Sequence, residues 1–197
     1  PRDMPDYSRG ALVHSQPHDE SVLLGPLVSM TTRQNYTLDF SMRWENRLPS
    51  TTWQYGYLVF GREHDGPFGI ASKFRGEATD GCYVLTLRPG GRVRDENGKY
   101  LSGDIAQVLR YDPAKRGKEP VVLHTMKLEK PLAANRNIDG KIIVKKDFFY
   151  YVINGQYSPR LNDTAHRGPY VHFGRYHGNS NGGPLALTRM VARESWA

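Results

Sequence analysis

Four residues on one face of a predicted strand offer the most chemistry in this sequence. In the run 170–177, YVHFGRYH, strand alternation places Tyr170, His172, Gly174 and Tyr176 on a common face. Hydroxyl and imidazole groups can move protons, and the glycine leaves space beside them, so the pattern is typical of the floor of a binding groove. The alternative is that the tyrosines and the histidine are half-buried and simply satisfy their own polar ends.

Basic residues near two other strands are further candidates. Arg62 and His64 lie where an aromatic strand, predicted at 53–62, runs into a loop, a common place for catalytic groups. Arg43 opens the run RWENR, whose two arginines share a strand face and could bind carboxylates in bidentate fashion. An ordinary charged turn and a solvated strand face, respectively, explain the same two patterns.

Several kinds of chemistry have no signature here. The sequence contains no HExxH, CxxC or phosphate-loop motif, and its single cysteine, Cys82, excludes an internal disulfide framework. Closely spaced paired carboxylates of the glycosidase kind are also missing. We therefore expect no cofactor, with a structural calcium ion in a loop as the open alternative.

The composition points to an acidic partner away from the membrane. The 197 residues carry a net charge of +7 at pH 7, and no run of about 18 apolar residues could span a membrane. The basic residues are spread along the chain without an aromatic RNA-binding motif, which argues against nucleic acid. The sequence does not indicate an oligomeric state.

The elements that would position these residues are nearly all strands. Between 36 and 44 apolar and polar residues alternate strictly, which predicts a sheet with one buried face, and Leu38, Phe40, Met42 and Val144 are expected to point inward. Asn154-Gly155 predicts a tight hairpin turn. Strands are predicted at 36–44, 53–62, 68–74, 82–88, 105–111, 121–128, 170–176 and 185–193, with a hairpin over 141–153. We expect an all-β, antiparallel two-sheet jelly-roll sandwich, with an irregular N-terminal arm at 1–20 and a single domain at 21–197.

Three motifs resemble those of alginate-lyase-type polysaccharide lyases, and they occur in that family's order. YVHFGRYHG resembles the family's closing strand YFKAGxYNQ, with His172 at the lysine position. Arg62-Glu63-His64 is similar to Gln-x-His, and RWENR has the form Arg-x-Glu-x-Arg. Phrases such as DGCYVLTLRPGGR are similar to concanavalin-like lectins and laminin-G-like sandwiches in general.

The lyase resemblance implies β-elimination on an acidic, uronate-containing polysaccharide. A base removes the proton α to the carboxylate, and an acid protonates the leaving glycosidic oxygen. By position, Tyr176 would be the acid and also a base, His64 the alternative base or neutraliser, and Arg43 and His172 would grip the carboxylate, with Arg62 at the edge. The resemblance also implies a secreted or extracellular protein.

Two other functions fit the same fold. A non-catalytic, lectin-like module would stack sugar rings on Trp53, Tyr55 or Tyr57, with Tyr170 beside them. A structural or assembly protein would pack its aromatic strands against partner subunits. Whether the protein is an enzyme is left open by the sequence, and if it is one, a polysaccharide lyase is expected.

Overall fold

The computed structural model describes residues 12–14, 22–26, 34–66, 81–113, 119–176 and 182–194. This part of the chain is built from strands, with no α-helix. It also contains no helix long and apolar enough to cross a membrane. In chain order the strands are β1 (Leu12–His14), β2 (Val22–Pro26), β3 (Tyr36–Trp44), β4 (Tyr55–Gly61), β5 (Cys82–Arg94), β6 (Tyr100–Tyr111), β7 (Val121–Lys127), β8 (Ile138–Val144), β9 (Phe149–Ile153), β10 (Gln156–Tyr157), β11 (Gly168–Tyr176) and β12 (Leu185–Glu194).

The strands form two six-stranded antiparallel sheets. Sheet I has the order β1-β12-β3-β8-β9-β10, and Sheet II has the order β2-β11-β4-β5-β6-β7. The predicted two-sheet all-β fold is therefore confirmed. The strand predicted at 68–74 lies outside the described residues. Residues 12–14, which the sequence places in the irregular arm, form β1 and pair with β12.

The main core lies between the two sheets and follows the alternation seen in the sequence. Leu38, Phe40, Met42 and Val144 are at most 1% exposed, so the predicted inward face is confirmed. From Sheet II, side chains such as Phe60 and Phe173 pack into the same core. Burial of this much apolar surface is the main stabilising contribution to the sandwich.

The hairpin turn predicted at Asn154-Gly155 is also confirmed. Gln156 pairs with Ile153, so the connection between β9 and β10 has two residues. Both turn residues have positive φ, 48° for Asn154 and 80° for Gly155, as a type I′ turn requires. Asparagine and glycine tolerate this region better than other residues, which is why the dipeptide specifies the turn.

Sheet II has a second buried face, turned away from Sheet I. The residues that alternate with the core residues on β4, β5 and β6 form a separate cluster on this outer face. Its members are Tyr55, Tyr57, Val59, Cys82, Val84, Leu109 and Tyr111, with Val122 and Tyr176 packed against them. This outer face carries most of the residues that the sequence singles out for chemistry.

Candidate functional site

Strand pairing arranges the outer face of Sheet II in rows that cross the sheet. One row joins Gly174 of β11, Tyr57 of β4, Thr86 of β5, Gln107 of β6 and Thr125 of β7. The sequence alternation on β11 is thus retained, because Val171 and Phe173 lie in the core while the even-numbered residues face outward. The middle of this row is closed to solvent, since the side chains of Tyr57, Thr86 and Gln107 are at most 2% exposed.

A second row brings His172 to the outer face opposite Val59, where Arg62 reaches it. One guanidinium nitrogen of Arg62, Nη1, lies 3.1 Å from Nε2 of His172. Both residues are buried, at 2% and 1% exposure. A guanidinium only donates hydrogen bonds, so Nε2 of His172 must accept, and its lone pair is not available to remove a proton from a substrate.

A local irregularity at Gly61 makes this contact possible. Phe60 points into the core, so simple alternation would also send Arg62 inward. Gly61 instead has φ of 75°, and pairing between β4 and β11 shifts register at this end. The backbone N–H of Tyr170 donates to the carbonyl of Arg62 at 3.1 Å, which fixes the displaced residue beside β11.

Three aromatic rings and one arginine form a cluster at the other end of β4 and β11. The ring of Tyr176 stacks on that of Tyr55, with centroids 5.3 Å apart, and Trp53 meets Tyr176 edge-on at 5.8 Å. The guanidinium carbon of Arg88 lies 4.0 Å from the Tyr55 ring centroid. Trp53 is 38% exposed and Tyr176 is half-buried, so this aromatic platform reaches solvent through these two rings, whereas Tyr55, on which the sequence predicts that a sugar could stack, is only 8% exposed.

The electrostatics of the aromatic platform follow from the burial of Arg88. Burial lowers the pKa of Arg88 from its ordinary value, while the hydroxyls of Tyr55 and Tyr111 counteract this shift. Its Nε atom donates to Oγ1 of Thr86 at 3.2 Å. The arginine is therefore held in place by a π face and a hydroxyl, and it supplies positive charge next to Tyr55.

The structure separates several residues that the sequence groups together. Antiparallel pairing places Tyr55 against Tyr176 at one end of β4 and Arg62 against Tyr170 at the other. Positions 55 and 62 are about 23 Å apart along the strand, so His64, exposed beyond Arg62, lies at the opposite end from Tyr176. His64, His172 and Tyr176 thus do not converge on one substrate position.

Arg43 and Tyr57 also occupy places that the sequence does not anticipate. Arg43 is on β3 in Sheet I, and its neighbours Met42 and Trp44 point into the core, so it lies on the outer face of the other sheet. Tyr57 is fully buried, with no surface for a sugar to stack on. Tyr170 is half-buried near Arg62, away from the aromatic platform.

Arg88, Thr86 and Gln107 are site residues that sequence reasoning missed. The strands at 82–88 and 105–111 are predicted, but no motif marks these polar residues. They would have been found only by placing 82–88 between 53–62 and 105–111, because Thr86 pairs with Tyr57 on one side and with Gln107 on the other. A short-range pattern cannot reveal that pairing.

A second polar cluster lies where β5 begins and β6 ends. Arg110 pairs with Asp112 at 3.0 Å and with Asp163 at 2.5 Å, and Nε2 of His166 lies 3.0 Å from Asp112. The hydroxyl of Tyr83 donates to Asp163. The cluster therefore ties the loop before β11 to the ends of two strands.

Hydrogen bonding determines the ionisation of this cluster. Burial alone would raise the pKa of Asp112, but hydrogen bonds from His166 and Arg110 outweigh it and lower the pKa. Burial alone would also raise the pKa of Asp163, but hydrogen bonds from Tyr83 and Arg110 outweigh it and lower the pKa. Both carboxylates are thus stabilised in their charged form.

A metal site would need several ligand side chains close together. Within the described ranges, no group of three or more His, Cys, Asp or Glu side chains is arranged to hold a metal ion. The expectation about a structural calcium ion stays a prediction.

Comparisons with known proteins establish the fold class as a concanavalin-like jelly roll. The carbohydrate recognition domain of Emp46p in its metal-free form matches with a TM-score of 0.70 and 10% identity, over 97% of this chain and 85% of that chain. Alginate lyase A1-II′, a member of polysaccharide lyase family 7, matches with a TM-score of 0.54 and 15% identity, over 95% and 81%. The carbohydrate binding module CBM66 from Bacillus subtilis matches with a TM-score of 0.52 and 12% identity, over 82% and 76%.

These likenesses concern the fold. No protein-family model matches the sequence, and no curated protein has a sequence similar enough to match. Identities of 10–15% show a common architecture, on which the function is decided by the residues of the site.

Proposed function

We propose that this protein binds carbohydrate at the aromatic platform of Trp53, Tyr55 and Tyr176. The observation that carries the proposal is a group of packed rings at one end of Sheet II, in which Trp53 and Tyr176 reach solvent above the buried ring of Tyr55. Such rings offer flat apolar faces next to polar hydroxyl groups, which suits the mixed surface of a sugar. The fold is shared with a carbohydrate recognition domain and a carbohydrate binding module, which supports the same proposal.

The test compares two exposed aromatic residues on different sheets. Trp53→Ala should weaken retention on a bound polysaccharide at least tenfold, since truncation of an aromatic anchor costs on the order of 2 kcal/mol. Tyr157→Ala is the matched control, because Tyr157 is 69% exposed but lies on β10 in Sheet I. Affinity electrophoresis against a panel of neutral and acidic polysaccharides measures both variants.

Two results would contradict the proposal. The first is that the wild-type protein is not retained by any polysaccharide in the panel. The second is that Tyr157→Ala weakens retention as much as Trp53→Ala does, because the effect would then not belong to the aromatic platform. A net charge of +7 favours acidic polymers within the panel, and a secreted or extracellular location would give access to them.

A second candidate function is β-elimination on a uronate polymer, with Tyr176 as acid and base. It is favoured by the position of Arg88, whose guanidinium covers the ring on which Tyr176 stacks. Arg88 is only 9% exposed, so it would act on the uronate carboxylate through its positive charge, while a tyrosine removes the α proton and protonates the leaving oxygen. His64 and Arg43, which lie elsewhere, would have no part in this version.

Tyr176→Phe separates the two candidates. The substitution keeps the stacked ring and removes only the hydroxyl, so a binding module should keep its affinity. A lyase should lose formation of the unsaturated product, followed by its ultraviolet absorbance, while still binding the polymer. If the wild-type protein forms no unsaturated product from any uronate polymer, the lyase candidate is excluded and the binding proposal stands.

A further inference from the structure

The hairpin between β5 and β6 bends back over the outer face of Sheet II. The side-chain amide of Gln107 donates to the carbonyl of Arg94 at 2.9 Å. Gln107 pairs with Thr86, so in a straight ladder Arg94 would lie about 26 Å further along β5. The pairing shifts between Arg88 and Gly91, which is where the strands turn.

The bent part of the hairpin presents two arginines on one tyrosine. The guanidinium carbons of Arg92 and Arg94 each lie 4.6 Å from the ring centroid of Tyr100. Arg94 pairs directly with Tyr100, and Arg92 lies two residues away on the same face. All three side chains are exposed, and the ring itself is 50% exposed.

Among the residues that the structure describes, these two arginines have no carboxylate partner to compensate their charges. The nearby carboxylate of Asp95 accepts from the backbone N–H groups of Asn97 and Lys99 at 2.9 Å each, so it closes the hairpin turn. Two cations held by one ring, and facing solvent, form a ready binding site for an anion.

The arginine pair is adjacent to the aromatic platform. The backbone N–H of Arg92 donates to the carbonyl of Thr52 at 3.1 Å, and Thr52 directly precedes Trp53. This bond fixes the hairpin against the segment that carries the exposed tryptophan. A chain of sugars lying on Trp53 could therefore extend towards Arg92 and Arg94.

We propose that Arg92 and Arg94 form a subsite for the carboxylate or sulfate groups of an acidic polysaccharide whose neighbouring units lie on the aromatic platform. This inference rests on the proposed carbohydrate binding and adds the class of ligand. The fork of a guanidinium matches the two oxygens of a carboxylate, and stacking on Tyr100 holds both forks in place before binding. This subsite gives acidic polysaccharides a higher affinity than neutral ones.

The experiment uses alginate and its carboxyl-reduced, neutral form as matched ligands. The double variant Arg92→Ala/Arg94→Ala should bind alginate at least tenfold more weakly and bind the neutral form within twofold of the wild-type affinity. The control is Arg136→Ala/Arg160→Ala, which removes the same charge from exposed sites. One of these, Arg160, lies 4.3 Å from the ring centroid of Phe148 and thus repeats the stacked geometry away from the hairpin.

The control pair should leave alginate affinity within twofold. The salt dependence of alginate binding should become less steep in Arg92→Ala/Arg94→Ala and stay unchanged in the control, since fewer counterions are released. Thermal melts of both variants confirm folding. Arg92→Lys/Arg94→Lys retains the charge without the fork and should recover part of the alginate affinity.

The outcomes separate this inference from the proposal on which it rests. If Trp53→Ala weakens binding but Arg92→Ala/Arg94→Ala does not distinguish alginate from the neutral form, the subsite is refuted and carbohydrate binding stands. If the wild-type protein binds neither polymer, both ideas fail. Tighter binding of single-stranded DNA than of alginate at equal salt, lost in Arg92→Ala/Arg94→Ala, would also overturn the inference, because the pair would then serve nucleic acid.

Discussion

Gly174→Ala should destabilise the protein, because the added methyl group on β11 would push against the ring of Tyr57 on β4, on the outer face of Sheet II. Gly174 pairs with Tyr57, whose ring covers the position where a side chain would be. A methyl group at residue 174 would lie 2.5 Å from Oη and 2.6 Å from Cζ of Tyr57. Ordinary contacts to carbon are about 3.5–4.0 Å, so the ring would have to withdraw by about 1 Å.

The magnitude follows from how little room the ring has. Tyr57 is 0% exposed, so it cannot swing into solvent, and overpacking of this kind costs about 1–3 kcal/mol. A glycine-to-alanine change offsets part of this by about 0.4–1 kcal/mol through the unfolded chain. A net loss of about 1–2 kcal/mol corresponds to a lowering of Tm by about 2–8 °C.

Urea unfolding of five proteins tests the reasoning: the wild type, Gly174→Ala, Tyr57→Leu, the double variant and one control. Tyr57→Leu removes both of the clashing atoms. The double variant should be at least about 1 kcal/mol more stable than the sum of the two single effects predicts, because without the tyrosine ring the added methyl group no longer clashes. Gly66→Ala is the control, because a methyl group there meets nothing within 4 Å, and it should change stability by less than about 0.5 kcal/mol.

Two results would refute this account. If Gly174→Ala leaves the unfolding midpoint unchanged, the ring of Tyr57 does not occupy the space beside the glycine. If the changes in unfolding free energy caused by Tyr57→Leu and Gly174→Ala simply add in the double variant, the destabilisation does not come from the contact between these two residues.

Two further predictions concern pH and a turn. The pKa values of Asp112 and Asp163 are lowered in the folded state, so their stabilisation is complete above the unfolded value, about 3.9, and is lost as the pH falls through the folded values. Stability measured by urea unfolding should therefore decline below about pH 5, and less steeply in Asp163→Asn; an equal slope in that variant would contradict the role of the carboxylate. Gly155→Val should lower the unfolding free energy by about 1–2 kcal/mol, because a β-branched residue resists the φ of 80° found there, and an unchanged thermal melt would argue against the type I′ turn.

Short-range patterns in the sequence were sufficient for the sandwich itself. The period of two between Tyr36 and Trp44 arises because successive side chains leave opposite faces of a strand, so the buried stripe can be read without knowing any partner strand. The turn at Asn154-Gly155 depends on the φ preferences of two adjacent residues, which is equally local. The same alternation correctly assigned the two faces of β11, with Val171 and Phe173 inward.

The composition of the candidate site was decided only by the tertiary structure. Arg43 lies in Sheet I and Arg88 lies next to Tyr55, because the order of the strands in each sheet brings together segments that are distant in sequence. Arg62 reached His172 through one positive φ at Gly61, which shifts alternation by a residue and reverses the face on which the arginine lies. Periodicity fixes which residues share a face of one strand, whereas the neighbours of that face depend on pairing between strands, and pairing is set by the packing of the whole sandwich.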